Sequence, residues 1–178
     1  MRIRYSVVAG VAMAVAVSGV ADAAPGDTTV TFSVSGSSLS ISVPSSVSLG
    51  AGLPGATVGG QLGAVTVTDA RALLTASWTA SVISTSFTTG GATSAETVAA
   101  SAVSYWSGVA TATSGVGTFT PGQATAGVAQ TLNSSRTAYS LTAGVGNNSA
   151  TWNPTLSIAL PASAVNGTYT GTVTHSIA

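Results

Sequence analysis

The chain has no cysteine, no lysine and a single histidine, His175. Without cysteine there is neither a disulfide nor a thiolate metal site, even in a compartment that would permit the former. Charged residues are 4% of the chain, against about 25% in ordinary globular domains. Beyond residue 23 they are Asp27, Asp69, Arg71, Glu96 and Arg136. So few cations exclude a basic patch and, with it, nucleic-acid binding. A charged partner would find no field to steer toward. One histidine with scattered acids does not supply the two or three strong ligands of a metal centre. A catalytic histidine needs a nucleophile and an orienting acid, acids are scarce, and no G-x-S-x-G elbow is present. No cofactor is expected.

Apolar residues make up 45% of the chain and mean hydropathy is +0.51, enough to bury a core and fold. Ser and Thr are roughly three residues in ten, far above average usage, so the outer surface is expected to be a coat of hydroxyls.

The first residues read as a secretory signal. Arg2 and Arg4 give a positive start, Val7 to Val17 is an apolar run broken by Gly10, and Ala21-Asp22-Ala23 is a small-x-small cleavage pattern. The run is shorter than the roughly 20 apolar residues a membrane span needs. Cleavage is expected after Ala23, leaving residues 24–178 as one domain. With no cysteine near the cut, no lipid anchor is expected, and no membrane association after cleavage.

Helix signals are scarce, whereas period-two alternation recurs. Val30, Phe32 and Val34 share one face of Thr29–Val34, and Leu39, Ile41 and Val43 repeat the pattern up to Pro44. Residues 44–63, with two prolines and six glycines, read as a long loop or an irregular edge. Further strands are expected around Val65–Val67 and at Trp78–Ile83, Val98–Trp106, Val116–Thr120, Ala138–Ala143, Thr155–Leu160 and Thr168–Ile177. Turns are expected at 90–91, 114–117, 121–123, 146–148 and 166–167. About nine short strands predict an all-β fold, an antiparallel β-sandwich of Ig-like or Greek-key type, preceded by the signal-peptide helix.

Three constellations invite a chemical reading. In the last strand Tyr169, Gly171, Val173, His175 and Ile177 fall on one face, so His175 sits among apolar neighbours. It reads as a core or rim imidazole with one hydrogen bond, or, against that, as a catalytic base. Asp69 and Arg71 lie two apart at a strand end, on one side of an extended chain. They read as a structural clasp, with the arginine fork on the carboxylate and on loop carbonyls, rather than as a ligand site. Among the aromatics, Trp78 and Trp152 lie in alternating segments and read as core. Tyr105-Trp106 stands at a strand end and reads either as core or as an exposed platform for a sugar ring.

These residues resemble a known family. The order D-x-R (Asp69, Arg71), then Trp78-Thr79-Ala80, then SYWSG (104–108), then the C-terminal GNNSATWNPTLSIALPASAVNGTYTGTVTHSIA resembles the WxL domain of Gram-positive surface proteins. It is closer still to the actinobacterial secreted relatives of that domain. Trp78-Thr79-Ala80 matches a first W-x-L with Ala80 in the Leu place. Tyr169, Val173, His175 and Ile177 match the terminal-strand element, with His175 in the Trp place and Ile177 in the Leu place. No literal W-x-L occurs. The resemblance implies an all-β fold and non-covalent attachment to the cell wall through peptidoglycan. It makes Trp78, Tyr105, Trp106, Trp152, Tyr169 and His175 the motif residues and candidate wall contacts. The expectation is an extracellular, wall-associated, non-catalytic binding domain whose partners are a wall polymer or other surface proteins. The alternative is a self-associating fibre, coat or adhesin subunit, favoured by near-zero net charge and open strand edges; a hydrolase using His175 is third.

Overall fold

The computed structural model describes residues 30–178; the expected signal peptide (1–23), its cleavage point, Asp27 and Thr29 lie outside the described residues. Alternating hydroxyl and small apolar side chains suit a pleated, half-buried surface, and the chain forms strands throughout. In order they are β1 (Leu39–Ser42), β2 (Thr57–Gln61), β3 (Val65–Asp69), β4 (Ala76–Ser84), β5 (Phe87–Thr88) and β6 (Thr97–Val98). There follow β7 (Val103–Trp106), β8 (Ala110–Pro121), β9 (Gln130–Thr131), β10 (Arg136–Trp152), β11 (Thr155–Ala159) and β12 (Val173–Ile177). Three of the twelve have only two residues, and the other nine match the expected number. All pairings are antiparallel, and the fold is the expected all-β sandwich.

The 17-residue β10 is the spine of a six-stranded sheet. Its Asn148–Trp152 part pairs with β3, and its Arg136–Gly144 part with β4. Because β8 pairs with both parts of β10, β3 and β4 share the opposite edge and lie end to end. β1 flanks β3, and β12 flanks β4. A second sheet has the order β2-β11-β7-β9, and β5 pairs with β6.

β10 is not straight. Tyr139 and Trp152 are thirteen positions apart, which would separate them by about 43 Å in an extended strand; their rings stack with centroids 4.9 Å apart. The strand turns back around residues 143–147, where the register with β4 shifts and Ala143 and Gly146 take φ of 53° and 69°. On β8 the facing residue is Gly115, at φ 91°; a Cβ there would lie 2.6 Å from the Asn147 carbonyl oxygen, so only glycine fits. The corner folds the six-stranded sheet over on itself. Its inward side chains, among them Val65, Val67, Trp78, Val82, Leu141 and Trp152, meet Tyr105 and Leu156 of the second sheet in one core. Burying each large apolar side chain there contributes about 1.5–3 kcal/mol.

Several expected elements differ. Residues 30–34 form no strand, and Val30, Phe32 and Val34 are exposed: alternation alone does not make a strand. Of the loop and edge readings of 44–63, the edge holds for Thr57–Gln61, where β2 forms as an edge strand despite Gly59 and Gly60. A Cβ on Gly59 would strike the Leu156 backbone of β11, so the glycine serves close strand approach rather than a turn. Residues 114–117 and 146–148 are bulged parts of β8 and β10, not turns. Val98–Trp106 is interrupted by a 3₁₀ turn at Ala100–Ala102, and the last strand begins at Val173 rather than Thr168.

Candidate functional site

The corner between β3 and β4 is held by a polar network. Asp69 is buried at the end of β3. Its Oδ1 accepts from the Arg71 backbone N–H at 3.0 Å and from Arg71 Nε at 2.9 Å; its Oδ2 accepts from Arg71 Nη2 at 2.8 Å. Arg71 Nη2 also donates to the Ser77 carbonyl of β4 at 2.8 Å. Asn148 of β10 donates to Asp69 Oδ2 at 3.3 Å and accepts from Trp78 Nε1 at 2.8 Å. One carboxylate thus joins β3, the corner, β4 and β10. The Arg71 hydrogen bonds hold its pKa at about 2, against the opposing effect of burial.

The other charged groups are also committed. Glu96 Oε2 accepts from the Thr93 backbone N–H at 3.0 Å and the Thr93 hydroxyl at 2.8 Å, which lowers its pKa. Arg136 Nε donates to the Thr131 carbonyl at 3.0 Å. Each of the four charged side chains among the described residues is therefore bonded within the fold.

His175 projects from β12 toward the second sheet. Trp152 Nε1 donates to the Tyr105 hydroxyl oxygen at 3.3 Å, and that hydroxyl lies 3.2 Å from His175 Nε2. The Tyr105 hydroxyl donates to Nε2 or accepts from it according to the His175 tautomer. The rings of Tyr105 and His175 are tilted, centroids 5.8 Å apart. Burial lowers the His175 pKa to about 4 and raises that of Tyr105. The imidazole is neutral at pH 7, and its hydrogen-bond partner is a phenol, not a serine or a carboxylate.

A groove opens beside this relay. Two adjoining cavities of about 780 and 400 Å³ share Val47, Leu49, Phe87, Thr170 and Gly171. Their walls are the 43–54 segment and residues 164–175; Leu62, Leu156 and Ile158 contribute apolar floor. His175 lines one end and Tyr169 the other. The Tyr169 hydroxyl is 3.1 Å from the carbonyl oxygens of both Ala95 and Val165.

The five motif aromatics and His175 therefore divide. Trp78, Tyr105 and Trp152 are interior, at 2%, 0% and 0% exposure, so they shape the core and cannot touch a wall polymer. Tyr105 settles as core rather than platform, while Trp106, next along β7, sits half-buried on the outer face with Tyr169 and His175 half-buried at the groove. No three His, Asp or Glu side chains cluster to hold a metal among the described residues, and no helix there is long and apolar enough to cross a membrane. The groove was not legible as a site: its walls come from a Gly- and Ser-rich segment and from the approach to β12, joined only by the tertiary fold. Comparison with protein-family models, curated proteins and solved structures finds no match.

Proposed function

We propose that this is an exported, non-catalytic surface protein that associates non-covalently with the cell wall, in the manner of a divergent WxL domain, and binds peptidoglycan through neutral contacts. The observation that supports this most is the commitment of Asp69, Arg71, Glu96 and Arg136 to bonds inside the fold. Among the groups that face outward are hydroxyls and rings: the exposed threonines of β8 and half-buried Trp106 and Tyr169. Such a surface suits a polyhydroxylated polymer, stacking on sugar rings and exchanging hydrogen bonds with them. The test is co-sedimentation of purified protein with purified cell walls. Retention in the pellet supports the reading, and protein wholly in the supernatant across pH and salt sinks it.

A second reading is a self-assembling surface subunit. It is supported by the open edges of β8 and β2 and by the exposed apolar side chains of residues 30–34. Light scattering of the purified protein tests it: polymers support assembly, a monomer at every concentration excludes it.

A further inference from the structure

We propose that the outer face of the β2-β11-β7-β9 sheet is a carbohydrate site, in which Trp106 stacks on a sugar ring and Gln61 bonds an acetamido group of the same uncharged glycan strand. The inference rests on the wall-binding reading and assigns that binding to the glycan of the wall rather than to its ionised peptides.

The site follows from strand period and register. Val103 and Tyr105 of β7 fill the core, so Ser104 and Trp106 point the other way. Leu156 and Ile158 of β11 are likewise interior, which sets Thr155 and Ser157 on the same outer side, and β2 adds Gly59 and Gln61. Gln61, Thr155 and Trp106 are direct partners across three strands, and Gly59, Ser157 and Ser104 form the row beside them. With strands about 4.8 Å apart, each row is roughly 10 Å long. Because Gly59 has no side chain, the second row is a low strip alongside the indole and the carboxamide. The 43–54 segment packs on the opposite side of β2, where Leu49 faces Gly60 and Gly52 lies against Val58. The outer face stays open: Gly59 and Gln61 are exposed, and Ser104, Trp106, Thr155 and Ser157 are half-buried.

The chemistry of these residues selects the ligand. Trp78 and Trp152 spend their indole N–H groups inside the core, on Asn148 and Tyr105. The side chains of Gln61, Ser104, Trp106, Thr155 and Ser157 make no hydrogen bond among the described residues, and none is buried without a partner; each is open to a ligand. An indole face takes the C–H face of a sugar, and hydroxyls exchange hydrogen bonds with sugar hydroxyls. A carboxamide both donates and accepts, which matches it to an acetamido group. No position in either row is charged, and Arg136, the cation bonded to this sheet, is committed to the Thr131 carbonyl of β9 at 3.0 Å. A peptide with free carboxylate and ammonium groups would find no counter-charge here, whereas an N-acetylated glycan brings no ion that needs one.

The experiment titrates the purified protein with the hexamer of N-acetylglucosamine and, separately, with a synthetic wall stem peptide, following the indole N–H resonances of its three tryptophans. The hexamer should shift the Trp106 signal, identified by its loss in Trp106→Ala, and the peptide should shift none. Gln61 is exposed, so Gln61→Ala should melt at the parent's temperature and bind the hexamer about two- to tenfold more weakly. Trp106→Ala should bind it at least about tenfold more weakly, and Trp106→Phe, which keeps a ring in the half-buried place, should lose less. Co-sedimentation with purified cell walls should follow the same order. A parent retained by walls that does not bind the hexamer, that binds it no better than Gln61→Ala and Trp106→Ala do, or that binds the peptide instead overturns the site and leaves the wall reading standing. A parent wholly in the supernatant sinks the wall reading and the site together.

Discussion

Asp69 grips Arg71 through both carboxylate oxygens, at 2.9 and 2.8 Å, across the corner where β3 gives way to β4. The carboxylate is buried while the guanidinium is 29% exposed, so the pair is a clasp between core and rim. Arg71→Ala leaves the carboxylate with Asn148 and one backbone N–H. Partial exposure of the arginine tempers the loss, expected at about 2 kcal/mol. Wall retention should be unchanged. Thermal melts and co-sedimentation of the variant check both halves; an unshifted melting temperature would refute the clasp.

The same carboxylate sets an acid limit. Its pKa is about 2 in the fold against 3.8 without its partners, so the folded state binds the proton less readily than the unfolded chain. The stabilisation is present above pH 4 and is lost as pH falls toward 2, by roughly 1–2 kcal/mol. Asp69→Asn, less stable at neutral pH, should show a smaller further decline over that interval in denaturant titrations.

His175 acts at milder pH. Its pKa is lowered by burial to about 4 from an ordinary 6.5, so between these values the unfolded chain takes up a proton that the fold refuses. Stability should be full above pH 6.5 and fall progressively down to pH 4, by about 2 kcal/mol after allowance for the open groove. His175→Phe should flatten that part of the stability profile; a parent profile already flat from pH 7 to 4.5 contradicts the buried neutral imidazole.

Tyr105→Phe deletes the hydroxyl that bridges Trp152 and His175 while keeping the ring. Two polar atoms then lose their partner, at a cost of about 1–3 kcal/mol. Urea denaturation measures it, and the tryptophan indole N–H resonance should shift in the folded protein.

Gly115→Ala adds a Cβ at φ 91°, 2.6 Å from the Asn147 carbonyl. It should cost more than about 2 kcal/mol, whereas Gly108→Ala, also at positive φ but with nothing near its Cβ, should cost about 1 kcal/mol. The difference between the two melting temperatures reports the crowding at the corner alone.

Local pattern carries much of this architecture. Alternation in TASWTASV places Trp78, Ala80 and Val82 inside β4, and the D-x-R spacing brings Asp69 and Arg71 together through neighbours two residues apart. What it does not carry is the partner of a residue. Residues 29–34 alternate as cleanly as β4, yet 30–34 form no strand, because a strand is defined by what lies beside it. Gly115 and Gly146 look like turn formers, but the long-range pairing of β8 with β10 makes them bulged parts of two continuous strands. The Tyr105–His175 contact spans seventy residues, and the groove depends on segments equally remote.

The shared β10 also bears on how the molecule comes apart. Both halves of the folded sheet hang their hydrogen bonds on that one strand, and the Tyr139–Trp152 stack ties its ends to each other. Neither half has a spine of its own to survive on, so heating should melt the sandwich in a single calorimetric step, with no half-structured species accumulating on the way.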